Sequence, residues 1–255
     1  MRSADELRAL VDDALAEYVP HRDLHGLDAV VAASVEGGKR VRGVLCLAVG
    51  EALGCEPEHV LPAAVAVELV HAFSLVHDDL PALDNDATRR GRPSTWAQYG
   101  EGVAVLAGDA LLAEAVRLAL SYDSPGVARE LVDATLGMIG GQYLDVTGSE
   151  PDVAALNRLK TGRLFDASVG MALEIAQVPV EDRARWRAFS EHVGALFQLV
   201  DDLLDGDGFA AAHGPEETRR RADEVAERAL AALAELDRDT SMLRGLVESL
   251  ASRTA

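Results

Sequence analysis

The 255-residue chain is 49% hydrophobic and sets 43 acidic against 24 basic residues, a formal charge of −19. Such a length and apolar content bury one sizeable core, and so acidic a surface excludes a binder of nucleic-acid backbones, which needs a basic face. With two cysteines, Cys46 and Cys55, no apolar leader and no long uninterrupted apolar run, the expectation is a disulfide-free cytoplasmic protein with no membrane span.

Ala, Leu, Val and Glu recur at helical spacing, aromatic residues make up only 4% of the chain, and alternating strand-like runs are scarce. The predicted fold class is therefore all-α, a single domain over 1–255. In chain order the spacing predicts helices at 4–18, 28–35, 40–54, 58–80, 94–100, 103–121, 125–147, 152–176, 181–204 and 215–235, with a last one near 240–252. Breaks fall where Gly and Pro interrupt the pattern, at Pro20, Gly37-Gly38, Gly54 to Pro57, Pro81, Gly91 to Pro93, Ser124-Pro125, Gly148 to Pro151, Pro179 and Gly206 to Pro215.

Chemistry-bearing residues sit at these joints. Gly37-Gly38-Lys39-Arg40-Val41-Arg42 opens a helix with Lys39 and Arg42 three residues apart, at the end where the dipole favours anions. Of the 24 basic residues only Lys39 and Lys160 are lysine, and a compact point charge suits a single phosphate oxygen. After the apolar run Val65 to Val76, Asp78, Asp79, Asp84 and Asp86 place four carboxylates within nine residues, followed by Arg89 and Arg90. Mg²⁺ takes one or two carboxylates plus substrate phosphates, so acids beside paired arginines point to a metal–diphosphate site rather than a solvated acidic loop. His71 lies seven residues before Asp78, about 10 Å away on the same face, with Ser74 between them. His71 reads either as a hydrogen-bonded core residue or as part of the site.

Further along, Gly140-Gly141-Gln142 with Asp145 puts an amide and an acid on one helix face, and Lys160-Thr161-Gly162 offers an ammonium and a hydroxyl to a phosphate. Asp201 and Asp205, four apart with Gln198 on their stripe, repel one another on a bare helix. A metal spanning them removes that cost, so they form the second candidate ion site.

Together these segments resemble the trans-isoprenyl diphosphate synthases of the polyprenyl synthetase family, makers of geranyl, farnesyl and geranylgeranyl diphosphates. The run Glu68-Leu-Val-His71-Ala-Phe-Ser-Leu-Val-His-Asp-Asp-Leu-Pro81 followed by Asp84 looks like the family's first aspartate-rich motif, in the form with two extra residues between the aspartates. The resemblance implies an isoprenoid-synthase-type helical bundle around a deep central cavity, assembled as a homodimer. It implies that Asp78, Asp79, Asp84, Asp201 and Asp205 hold about three Mg²⁺ ions, with Mn²⁺ as a substitute. Arg89, Lys160 and Gln198 then bind the allylic diphosphate, with Thr161 and Gln142 beside them, while Lys39, Arg42, His71 and Arg90 bind isopentenyl diphosphate. Asp78, Asp79, Lys160 and Asp201 are the residues expected to carry catalysis. Phe73, about 7 Å deeper along its helix than Asp78, and Ser74 next to it would limit product length, giving farnesyl diphosphate, with the geranylgeranyl and geranyl compounds as alternatives.

One part of the pattern departs from the family. After Asp205 the family continues with a loop whose two lysines reach the allylic diphosphate, whereas no lysine follows Lys160 here. Arg219-Arg220-Arg221 read either as substitute cations or as a solvated helix face. That gap keeps a non-catalytic synthase subunit as a rival reading. A class I terpene cyclase is the other, opposed by the few aromatic residues and by a second aspartate cluster.

Overall fold

The computed structural model describes residues 2–149 and 153–253. In chain order they form α1 Ala4–Ala16, α2 Leu27–Ser34, α3 Val41–Ala52, α4 Pro57–Asp78, α5 Thr95–Tyr99, α6 Glu101–Ala119, α7 Pro125–Thr147, α8 Val153–Asn157, a π-helical turn Arg158–Gly162, α9 Arg163–Ile175, α10 Arg183–Asp205, α11 Gly208–His213, α12 Pro215–Ala234 and α13 Ser241–Ala251. Short 3-10 turns cover Arg22–Leu24 and Val180–Asp182, and β1 Thr88–Arg89 pairs with β2 Arg92–Pro93 in a small antiparallel hairpin.

Local chemistry sets most of the boundaries. Ser3 caps α1 reciprocally with Glu6: the Glu6 amide donates to the Ser3 hydroxyl at 3.3 Å and the Ser3 amide to the Glu6 carboxylate at 2.7 Å. Pro57, Pro125 and Pro215 open α4, α7 and α12, where a missing amide hydrogen costs nothing. Gly148 and Gly206 end α7 and α10 in the left-handed conformation.

The expected all-α architecture stands, with three differences in detail. The helix expected at 152–176 is broken into α8, the π turn and α9, and its first residue lies outside the described ones. The stretch after Asp205 does not run straight into the last helices, because α11 intervenes. Residues 88–93, read from sequence only as a break near Gly91, pair as a hairpin.

Helix α9 lies at the centre, touched by α3, α4, α7 and α10. Leu164, Phe165, Met171 and Leu173 on it are almost wholly buried. Helix α4 is long and apolar enough by composition to cross a membrane, yet α1, α3, α6, α7 and α9 all pack on it. Two thirds of its most apolar window is buried in the protein. Burying a side chain such as Leu69 contributes about 1.5–3 kcal/mol, so α4 is the main apolar strut of the bundle. It also carries the first aspartate cluster out of the core.

Candidate active site

Both aspartate clusters stand at helix C-termini. Asp78 is the last residue of α4 and Asp205 the last of α10. The helix dipole is negative there, so acids at these ends oppose helix stability while attracting cations. The chain beyond α4 folds back: the Asp84 amide donates to the Asp78 carbonyl at 2.9 Å, which brings Asp84 beside Asp78 despite the longer spacing between them. Burial pushes the Asp78 carboxyl up to about 6, with Lys160 pulling it down and Asp84 and Asp79 adding to the rise. Burial likewise raises Asp201, against the pull of Lys39 and with the push of Asp205.

These couplings join elements far apart in sequence. Lys160, in the π turn, feels Asp78 on α4; Lys39 and Arg42 on the glycine loop and α3 feel Asp201 on α10. His71 is held well below its ordinary value by burial and then by Arg42, Arg90, Arg40 and Arg89. It is therefore neutral at pH 7. Charge thus links Asp78 and Asp84 with Lys160, Asp201 with Lys39 and Arg42, and Arg42 with His71.

The carboxylates divide by what they touch. Asp78, Asp84, Asp201 and Asp205 have no side-chain hydrogen bond or ion pair among the described residues. Asp79, 2% exposed, holds Arg89, whose Nε donates to it at 3.0 Å, while Asp86 meets the same guanidinium at 3.2 Å. No three metal-ligating side chains are gathered into a closed cluster among the described residues. Unpaired, all-oxygen donors at the ends of α4 and α10 fit Mg²⁺, which favours few carboxylates plus substrate phosphates over a protein cage.

On the cationic side, the glycine loop is shaped around Arg90. Its Nη1 donates to the carbonyls of Glu36 and Gly37 at 3.0 Å each, and a Cβ on Gly38 would lie 2.9 Å from its Nη2. Gly38 also has φ +105°, so only glycine fits. Arg92 adds an ion pair to Glu36. Arg40, left-handed at φ +53° and buried, donates from Nε to Asp12 at 2.7 Å and from Nη2 to the Val35 carbonyl at 2.6 Å. Its Nη1 stands 3.9 Å from Glu68, whose other oxygen accepts the Gly43 amide at 2.9 Å. Arg42 is also buried, but its Nε has no partner. It lies over the rings of Phe165 and Phe197, 5.0 and 5.6 Å from their centroids, a contact of about 2 kcal/mol when desolvated.

Other expected residues fall as follows. Lys160 pairs with Asp145 at 2.6 Å, and the π turn that carries Lys160 and Thr161 approaches α7 where Gly141 leaves room: a Cβ there would lie 2.8 Å from the Lys160 amide nitrogen. Both amide atoms of Gln142 are buried without a partner, an arrangement that costs energy until something bonds to them. Gln198, expected to join Asp201 and Asp205, turns away: its amide donates to Asp202 at 2.7 Å. Asp202 is buried and its second oxygen takes the Phe209 amide at 2.8 Å, so it anchors α11. Gln198 and Asp202 line a cavity of about 950 Å³ between α7, α9, α10 and α12, which Asp78 and Asp201 do not reach.

Phe73 is 7% exposed and meets the His77 ring edge-on at 5.0 Å; His77 Nε2 lies 3.0 Å from the Val105 carbonyl of α6. The Ser74 hydroxyl donates to the His71 carbonyl at 2.9 Å. Arg219 donates to the carbonyls of Ala251 and Arg253, Arg220 pairs with Glu217 and Glu224, and Arg221 with Glu224. All three arginines are therefore already engaged within the protein, and Arg253, whose carbonyl Arg219 binds, is a cation that acts on Asp201. The residues that sequence reasoning missed are Arg40, Phe165 and the anchoring Asp202. Only Asp202 had a local signal, as the middle member of the second cluster.

With this geometry in view, the polyprenyl synthetase family pattern matches residues 25–218. The chain belongs to the polyprenyl synthetase family. Among its relatives, geranylgeranyl diphosphate synthase of Cyanophora paradoxa is 36% identical over 78% of this chain and 72% of its own length. Farnesyl diphosphate synthase of Geobacillus stearothermophilus is 36% identical over 80% of this chain and 74% of its own. Some curated polyprenyl synthetase relatives are matched over only 57–63% of their length. In three dimensions, an FPP/GFPP synthase from Zymomonas mobilis superposes with a TM-score of 0.86 at 29% identity, covering 98% of this chain and 97% of that one. The polyprenyl synthetase helical architecture is thus present over nearly the whole chain.

Proposed function

We propose that the protein is a magnesium-dependent short-chain prenyltransferase that joins isopentenyl diphosphate to an allylic diphosphate and releases diphosphate. The observation that carries this reading is that unpaired carboxylates end α4 and α10, with Lys160 acting on Asp78 and with Lys39 and Arg42 acting on Asp201. Relatives named farnesyl and geranylgeranyl diphosphate synthases support it.

Asp78, Asp79, Asp84, Asp201 and Asp205 are the side chains that would hold Mg²⁺, with Mn²⁺ as a substitute. Bound metal supplies Lewis-acid stabilisation of charge on the diphosphate. Lys160, Thr161 and Arg89 hold the allylic diphosphate, and for this Lys160 must leave Asp145 and Arg89 must share Asp79. Lys39, Arg42, Arg90 and neutral His71 hold isopentenyl diphosphate. As the allylic C–O bond breaks, Lys160 and Arg89 stabilise the departing diphosphate. The isopentenyl double bond supplies the electron pair for the new C–C bond, and a proton leaves to the released diphosphate. No side-chain base is needed.

Phe73, buried on α4 against the ring of His77, limits the tail, which favours farnesyl diphosphate. A homodimer is supported by apolar side chains left open on adjacent helices: Leu106 on α6 is 57% exposed, and Leu136 and Tyr143 on α7 are 61% and 66% exposed. The deciding experiment incubates the protein with Mg²⁺, isopentenyl diphosphate and each allylic diphosphate, then identifies products. Linear C15 product is expected, and Phe73→Ala is expected to lengthen it. The rival subunit reading rests on the lack of any lysine after Lys160; no product from any substrate pair would favour it, and a cyclic hydrocarbon would favour a cyclase.

A further inference from the structure

Arg42 raises a question that its assignment as an isopentenyl diphosphate ligand leaves open: what holds a buried guanidinium in place when none of its N–H groups is bonded? Among the described residues Arg42 makes no hydrogen bond, and its Nε is buried without a partner. Glu68 is not in contact with it, because one Glu68 oxygen takes the Gly43 amide and the other faces Arg40. Asp201 is near enough to act on Arg42 only through its field.

What lies against the guanidinium is aromatic. Phe165 from α9 and Phe197 from α10 both present their rings to it, 5.0 and 5.6 Å away. The rings pack on each other with centroids 5.1 Å apart and planes tilted by 46°, so each stiffens the other. The chain has only five phenylalanines, and two of them meet at one arginine on a third helix. Phe165 is wholly buried in the core, whereas Phe197 is half-buried.

We propose that Phe165 is a positioning residue for capture of isopentenyl diphosphate: with Phe197 it restrains Arg42 through the ring face and leaves the guanidinium N–H groups free for the diphosphate. A carboxylate partner would hold the same arginine by occupying those donors. A ring face attracts the cation without using any of them. The idea rests on Arg42 being an isopentenyl diphosphate ligand, and its test separates the two claims.

The test replaces Phe165 with mono-, di- and trifluorophenylalanine, which keep its shape and drain negative potential from its face. The KM for isopentenyl diphosphate is expected to rise step by step, to about tenfold for the trifluoro ring, while the KM for the allylic diphosphate stays within about twofold. Calorimetric titration with isopentenyl diphosphate reads the same trend without turnover. Arg42→Ala is the reference arm. If it leaves isopentenyl diphosphate binding intact, the assignment of Arg42 fails and the proposal with it. If Arg42→Ala weakens binding but fluorination does not, Phe165 is mere packing and the proposal alone is overturned. A double-mutant cycle of Arg42→Ala with Phe197→Leu, at the more exposed ring, supports the platform if the effects are non-additive and contradicts it if they add.

Discussion

At Asp78, burial and neighbouring acids act in the same direction, and the consequence for pH can be worked out. Its folded pKa of about 6 stands above the ordinary 3.8, so between those values the folded protein holds a proton that the unfolded chain releases. Linkage then makes the Asp78 contribution to metal-free stability fall as pH rises through that window. Asp78→Asn in EDTA is accordingly expected to melt above wild type at pH 7, with the gain shrinking toward pH 5. A variant that melts below wild type at pH 7 would contradict this. In the active enzyme the carboxylate must be ionised to hold metal, so kcat/KM is expected to fall below pH 6, and added Mg²⁺ should move that midpoint lower. The aspartates themselves were legible in the sequence because like charges cluster without compensation. Which of them are free was not: Asp79 differs from Asp78 through Arg89, and Asp202 from Asp201 through the Gln198 and Phe209 amides, partners that the fold brings near.

For the elements, helix limits were readable wherever the chain marks its own ends, as at Pro57, Pro125, Gly148 and Gly206. The π turn at 158–162 and α11 were not readable. The turn is a local change of hydrogen-bond register with no residue signature, and α11 depends on a carboxylate from the preceding helix. That dependence is testable. Asp202→Ala removes the acceptor of the Phe209 amide and of the Gln198 amide, and charged hydrogen bonds of this kind contribute about 1.5–3 kcal/mol. A fall in melting temperature is expected, together with faster hydrogen exchange confined first to 206–214. Unchanged exchange there would show that α11 stands without Asp202.

For the whole molecule, the exposed apolar residues of α6 and α7 predict association. A stable interface buries about 800 Å² per partner, and Leu136 is exposed enough for Leu136→Glu to leave the fold intact. That variant is expected to sediment as a monomer with unchanged helical content; a wild-type chain that already sediments as a monomer would dismiss the dimer. The hairpin at 88–93 has a different reach. Arg89 grips Asp79 beside the first cluster, and Arg90, the next residue, grips the carbonyls of the glycine loop. One small ladder is thus fastened to both proposed substrate regions, so a shift in either is expected to reach the other. The two ligands are then expected to bind cooperatively, by an equal factor in each direction. An inert allylic diphosphate analogue with Mg²⁺ is expected to change the affinity for isopentenyl diphosphate, and Arg90→Ala to bring that factor close to one in calorimetric titration. The order in which the substrates load would then be set by a pair of neighbouring arginines.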